Sequence, residues 1–139
     1  MTSVTDPKGT FDISMNASGT SAGTKGTVVN NTGLSFDYVL VQNYTYGYQL
    51  FRDVKAGEEL KVDFGLNSYG YYGGSTTLLY NEGRDEYRAG NYDGAAALAA
   101  IALTSDYVDA NYTSVIGVRE SESVTTEDEK AWQCYYTLD

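Results

Sequence analysis

The chain contains no histidine. That removes serine–histidine and cysteine–histidine nucleophilic catalysis, imidazole metal sites and the usual switch at physiological pH. A single cysteine, Cys134, excludes an intrachain disulfide and any cysteine-cluster zinc site, and it does not decide the compartment. Cations are scarce: nine Lys and Arg stand against nineteen Asp and Glu, a net charge of −10. A polyphosphate partner or an anionic membrane surface would be repelled, so nucleic acid is not an expected partner. No run of apolar residues approaches the roughly 18 needed to cross a membrane. The longest, 95–103 (AAALAAIAL), is nine residues. The N-terminus lacks the basic start and apolar stretch of a signal peptide, so the expectation is a cytosolic chain or a mature or excised soluble piece. Any membrane attachment would come through segments outside this sequence.

What is present fits one domain. The length is 139 residues, hydrophobic residues make up 42% and charged residues 20%. A chain of this size buries roughly two thirds of its unfolded surface, enough for a core without cross-links. Residues 1–9 are polar and are expected to be flexible, leaving 10–139 as the domain.

Phe11, Ile13 and Met15 alternate with polar residues, the period of a half-buried strand. Residues 25–30 form a second strand, closed by a turn at Asn31-Thr32-Gly33. The third, 36–43, has Phe36, Tyr38, Leu40 and Gln42 on one face and Asp37, Val39, Val41 and Asn43 on the other. Both faces are apolar enough to predict a strand covered on both sides. A fourth strand at 46–54 turns through Lys55-Ala56-Gly57-Glu58 into a fifth, where Leu60, Val62 and Phe64 alternate with Glu59, Lys61 and Asp63.

After a Gly/Tyr-rich connection the pattern becomes helical. Ser75 is placed as the cap of a first short helix, and Asp85 and Arg88 are spaced to pair along the charged stretch that follows. Asp93 is placed as the cap of a second helix over 94–107, with Ala95, Leu98, Ile101 and Ala102 as its apolar stripe. Strands return at 112–118 and 130–138, the latter with Trp132, Cys134, Tyr136 and Leu138 on one face. The expectation is a mainly β fold. It is an antiparallel immunoglobulin-like sandwich of about seven strands, with a helical insertion at about 75–107 between strands five and six.

The sequence is similar to a known pattern over about forty residues. Gly26-Thr-Val-Val-Asn-Asn-Thr-Gly33, Phe36-Asp-Tyr-Val-Leu-Val41, Leu50 and Asp53-Val-Lys-Ala-Gly-Glu58, with Val62, resemble bacterial extracytoplasmic FxLYD-type and related Ig-like modules. These include outward-facing segments of Gram-positive membrane proteins. The resemblance implies a non-catalytic interaction or spacer domain of a larger cell-envelope protein, at the cell surface or secreted. It supplies no functional residues.

Tyrosine is abundant, with fourteen residues. Tyr44, Tyr46 and Tyr48 share one strand face, and Tyr69, Tyr71 and Tyr72 lie in the Gly-rich connection. Tyrosine combines an apolar ring with a polar tip, suited to sugar stacking and protein interfaces, and it is also an ordinary strand former. These six are the candidate ligand-binding residues of the alternative reading, a carbohydrate-binding module. A protein or a cell-wall glycan is the partner either reading admits.

Glu82, Asp85 and Glu86, with Asp106 and Asp109, are acidic groups without the loop pattern of a calcium site. They are read as solvated surface, and no metal, cofactor or catalytic residue is expected. An acid/base hydrolase is a third reading, since two carboxylates need meet only in space. N-x-Ser/Thr sequons occur at Asn16, Asn30, Asn43 and Asn111 and are read as coincidental.

Overall fold

A computed structural model describes residues 7–15, 25–43, 47–64, 74–105, 113–121 and 130–138. The chain runs β1 (Phe11–Met15), β2 (Lys25–Asn30), β3 (Phe36–Asn43), β4 (Gly47–Val54), β5 (Glu59–Asp63), α1 (Gly74–Arg88), α2 (Tyr92–Ser105), β6 (Ser114–Glu120) and β7 (Trp132–Leu138). The seven strands form two antiparallel sheets, one ordered β1-β2-β5 and the other β4-β3-β6-β7. Both helices lie between β5 and β6 in the chain, and they pack on the four-stranded sheet.

That sheet is therefore the middle of three layers. Toward the three-stranded sheet, Phe36, Val39, Val41, Val54 and Val115 meet Phe11, Val28, Leu60, Val62 and Phe64. This interface is dense: a Cβ on Gly117 would stand 2.8 Å from the Phe36 ring. Phe36 also packs edge-on to Tyr135 and tilted against Phe11. Toward the helices, Tyr38, Leu40, Tyr48, Ile116 and Val118 meet Leu78, Leu79, Ala97, Leu98 and Ile101. The expected two-sided burial of the third strand holds.

Its facing does not run as the simple alternation predicts. Phe36 lies in the sheet–sheet core, whereas Tyr38, two residues on, faces the helices. Residues two apart in a regular strand share a face, so the phase has reversed between them. The cause lies in the pairing with β4. Phe36 pairs with Val54 and Tyr38 with Arg52, but Asp37 and Asp53 between them do not pair. Asp53 adopts φ 51°, the left-handed region that Asp tolerates better than most residues. The β3–β6 ladder also stops at Tyr38–Val118. Beyond it, the Asp37 carboxylate accepts a hydrogen bond from the Glu120 backbone in place of a ladder bond.

One end of the sandwich is tied by a buried asparagine. Asn30 is fully buried, and its Nδ2 donates to the Leu34 carbonyl at 2.8 Å and to the Lys55 carbonyl at 3.0 Å. Its Oδ1 accepts from the Thr32 N–H at 3.2 Å and the Thr32 hydroxyl at 2.6 Å. Its backbone carbonyl accepts from Gly57 N–H at 2.7 Å. Every polar capacity of the amide is used, and the β2–β3 and β4–β5 turns are welded together. Gly57 sits at φ 83°, as the third position of this turn requires.

The helix boundaries correct two expectations. α1 is one helix that begins at Gly74, so Ser75 lies inside it rather than capping it. It ends in a Schellman closure: Gly90 N–H donates to the Tyr87 carbonyl and Asn91 N–H to the Glu86 carbonyl, with Gly90 at φ 85°. The same Asn91 caps α2, its Oδ1 accepting the Gly94 N–H at 3.0 Å. Asp93 is thus in the first turn and not the cap. A link of three residues fits this double use of Asn91 because Gly90 supplies the left-handed step and the next side chain is a good cap.

The apolar face of α2 is Gly94, Ala97, Leu98 and Ile101. Ala102, partly buried, also packs against the core on this side of the sheet, and Ala95, Leu98 and Ala102 line an apolar groove of about 310 Å³ against Leu79, Tyr80 and Gly83 of α1. Asp85 lies 3.7 Å from Arg84 and does not pair with Arg88. Among the described residues, no helix is long and apolar enough to cross a membrane.

Candidate functional site

The sequence points to six tyrosines, and the structure places only Tyr48 among the described residues. It is 4% exposed and packed between the central sheet and the helices. A side chain in that position cannot stack on a ligand, so Tyr48 is corrected to a core residue. Tyr44, Tyr46, Tyr69, Tyr71 and Tyr72 lie outside the described residues.

The feature with the shape of a site lies where the helical insertion meets the sheet. A cleft of about 320 Å³ opens there, lined by Asp37, Tyr38, Arg52, Asp53, Asn91, Asp93, Gly94, Ala97, Glu120, Lys130 and Trp132. Three local decisions in the sequence build it. The phase reversal at Asp37 and Asp53 interrupts the β3–β4 pairing, and both residues line the cleft. Gly94 lets the first turn of α2 approach β3, since a Cβ there would collide with the Tyr38 hydroxyl oxygen at 2.6 Å. Trp132 opens β7 opposite Glu120, with which it pairs across the sheet.

The two cations of the cleft are already engaged. Arg52 donates to Glu86 at 2.7 Å and to Glu82, both on α1, and its guanidinium lies 5.1 Å from the Tyr38 ring centroid. It joins the edge of the sheet to the first helix. Glu86 is tied again by Asn91, whose Nδ2 donates to its carboxylate at 2.6 Å. The Asn91 hydrogen bond first, and then Arg52, hold the Glu86 carboxyl below its usual range. Lys130 pairs with Asp93 at 2.7 Å, linking the start of β7 to α2. That hydrogen bond, with the Asp93 charge, raises the ammonium pKa.

The remaining carboxylates differ. Among the described residues, Asp37, Asp53 and Glu120 take part in no ion pair. Burial first, and then the nearby Asp53 and Glu120 charges, push the Asp37 carboxyl above its ordinary value. Arg119 and Lys130 act on these carboxylates through space and partly offset their charge. No group of three or more Cys, Asp or Glu among the described residues is arranged to hold a metal ion.

Elsewhere, Cys134 is half-buried against the helical layer, and burial raises its thiol pKa, so it is a packing residue with little thiolate. The sequon residue Asn30 is locked in its network, and the Asn43 amide donates to the Thr113 hydroxyl at 3.1 Å. Asn16, Asn111, Asp106 and Asp109 lie outside the described residues.

None of the residues that line the cleft is among the candidate ligand-binding residues the sequence suggests. The available signal was Asp37 and Asp53, two aspartates inside otherwise apolar strands, where Asp is disfavoured. Trp132, the chain's one tryptophan, was read only as part of a strand face. No family model matches the chain, and neither a curated protein nor a solved structure matches it.

Proposed function

We propose that this chain is a non-catalytic binding module of immunoglobulin-like type, carried outside the cytoplasm by a larger bacterial cell-envelope protein. The observation that carries this reading is the strand order. An immunoglobulin constant domain places its first, second, fourth and fifth strands in one sheet and the third, sixth and seventh in the other. Here β1, β2 and β5 share a sheet, as do β3, β6 and β7, and only β4 has changed sides to pair with β3. The residues behind the family resemblance support the same reading. Asn30, Thr32 and Gly57 make the buried turn network, a scaffold role and not a chemical one.

The carbohydrate-binding alternative loses Tyr48 as a contact. What favours it is Trp132, an aromatic wall beside carboxylates and an amide in an open cleft.

Two measurements on the native protein test the main reading. Intact cells are probed with a membrane-impermeant amine label, and the isolated chain is assayed against chromogenic glycosides. Surface labelling without turnover is expected. A protein labelled only after lysis, or a turnover abolished by Asp37→Asn, would overturn it.

A further inference from the structure

We propose that the cleft between the central sheet and α2 binds an alkylammonium group, such as a lysyl side chain of a partner peptide, with the Trp132 indole as one wall. The inference rests on reading the chain as a binding module, and it names the chemistry that module takes.

Shape comes first. The cleft is about 320 Å³, and Gly94 and Ala97 are part of its lining. That matches the lower end of small-ligand pockets, ample for a four- or five-carbon chain with its ammonium. The lining then sorts ligands by charge. Arg52 and Lys130 are paired with Glu82, Glu86 and Asp93, so each already has an anion beside it. Asp37, Asp53 and Glu120 line the same space with no cation paired to them among the described residues. An entering anion would meet three carboxylates that Arg119 and Lys130 offset only through space, whereas an ammonium would relieve their mutual repulsion.

The aromatic groups complete the argument. A cation is attracted to the face of an aromatic ring, most strongly to tryptophan. The Tyr38 ring already carries the Arg52 guanidinium at 5.1 Å. Trp132 carries no such cation among the described residues, although it lines the cleft. Carboxylates beside an indole, with Gly94 and Ala97 also in the lining, suit an aliphatic ammonium: the charge meets carboxylates and the chain meets the indole and the small residues. The carboxylates are not arranged as a metal site, which separates this chemistry from calcium binding.

The chain provides its own reporter, because Trp132 is its only tryptophan. Its fluorescence is followed while the intact chain is titrated with n-butylammonium, with n-butanol as the neutral counterpart and an acetylated lysine peptide set against its free form. A saturable change with n-butylammonium and the free-lysine peptide is expected, weakening as salt rises. The neutral alcohol and acetylated peptide should give none. Asp53→Asn and Glu120→Gln should each weaken binding by about threefold, the scale of a solvent-accessible charge interaction. Circular dichroism checks that each variant is folded. A flat titration, an equal response to butanol, or unchanged affinity in the folded Asp53→Asn/Glu120→Gln double variant would overturn the proposal. A flat titration leaves the module reading intact, since surface labelling and glycoside turnover test that independently.

Discussion

The two faces of the central sheet solve the same burial problem differently. Toward the three-stranded sheet, the contacts are large and interlocked: Phe11, Phe36 and Phe64 interleave with valines, and Asn30 closes one end with every hydrogen bond made. Toward the helices, the cover is Leu78 and Leu79 of α1 with an alanine-rich α2 whose bulk comes from Leu98 and Ile101, and one end stays open as a charged cleft. A core of rings and β-branched residues leaves no room to vary. A two-helix cover whose α2 is rich in alanine, held by the Arg52 and Lys130 ion pairs, can leave a cavity beside it. The proposed binding chemistry lies on the second of these faces.

Substitutions sharpen that difference. Phe36→Ala removes a ring that touches both Phe11 and Tyr135, and an unfolding midpoint in urea should fall by the equivalent of about 3–5 kcal/mol. Asn30→Ala removes the four side-chain hydrogen bonds to Leu34, Lys55 and Thr32, leaving the Lys55 carbonyl only the Glu58 N–H and the Leu34 carbonyl only the longer Thr32 hydroxyl contact. The cost should be about 3 kcal/mol, since each such hydrogen bond contributes about 0.5–1.5 kcal/mol net. Ile101→Ala on the helical face should cost less, about 2 kcal/mol, because an alanine-rich helix can settle toward the sheet and shrink the cavity. Equal losses for Phe36→Ala and Ile101→Ala would break the contrast between the faces.

Gly83→Ala should act in the opposite direction. Gly83 lies in the interior of α1, and an added Cβ would come only to 4.0 Å from Leu98, an ordinary contact. Thermal or chemical denaturation should show a gain of about 0.5–1 kcal/mol from the improved helix propensity.

The smallest effect concerns pH. Asp37 has a raised pKa in the folded protein, so the native state holds this proton more tightly than the unfolded chain does. This group therefore makes stability fall as pH rises from the ordinary value of 3.8 through its higher native value. Above that window the penalty is constant. Asp37→Asn should remove this slope and leave the chain slightly more stable at neutral pH, as stability curves across pH 3–8 on both proteins would reveal. A steeper slope in the variant would contradict the placement of Asp37 beside Asp53 and Glu120.

The contrast also explains what could be read from the sequence. The inner face was legible because Leu60, Val62 and Phe64 alternate without interruption, and Phe11, Ile13 and Met15 do the same. The turn at Lys55–Glu58 was legible because glycine at a positive-φ position is a strong local signal. The facing of Phe36 was not, because alternation assumes an unbroken strand and Asp53 breaks the pairing through a backbone angle that composition does not reveal. The cap of α2 was missed because Asp93 is as good a capping residue as Asn91, and what decides between them is the closure of α1 at Gly90. The cleft was missed because its carboxylates come from β3, β4 and β6, which meet only after the sheet forms. Tyr48 misled for a related reason: alternation with Tyr44 and Tyr46 assigns a shared face, and the helices that cover Tyr48 come later in the chain.

The most direct test of this division is amide chemical-shift mapping of the intact chain during n-butylammonium titration. Shifts should concentrate at Asp37, Asp53, Gly94, Glu120 and the Trp132 indole, with the Asn30, Thr32 and Gly57 amides unmoved. Shifts centred on the Asn30 turn network, or none at the cleft, would contradict an account in which one face of the central sheet is scaffold and the other carries the site.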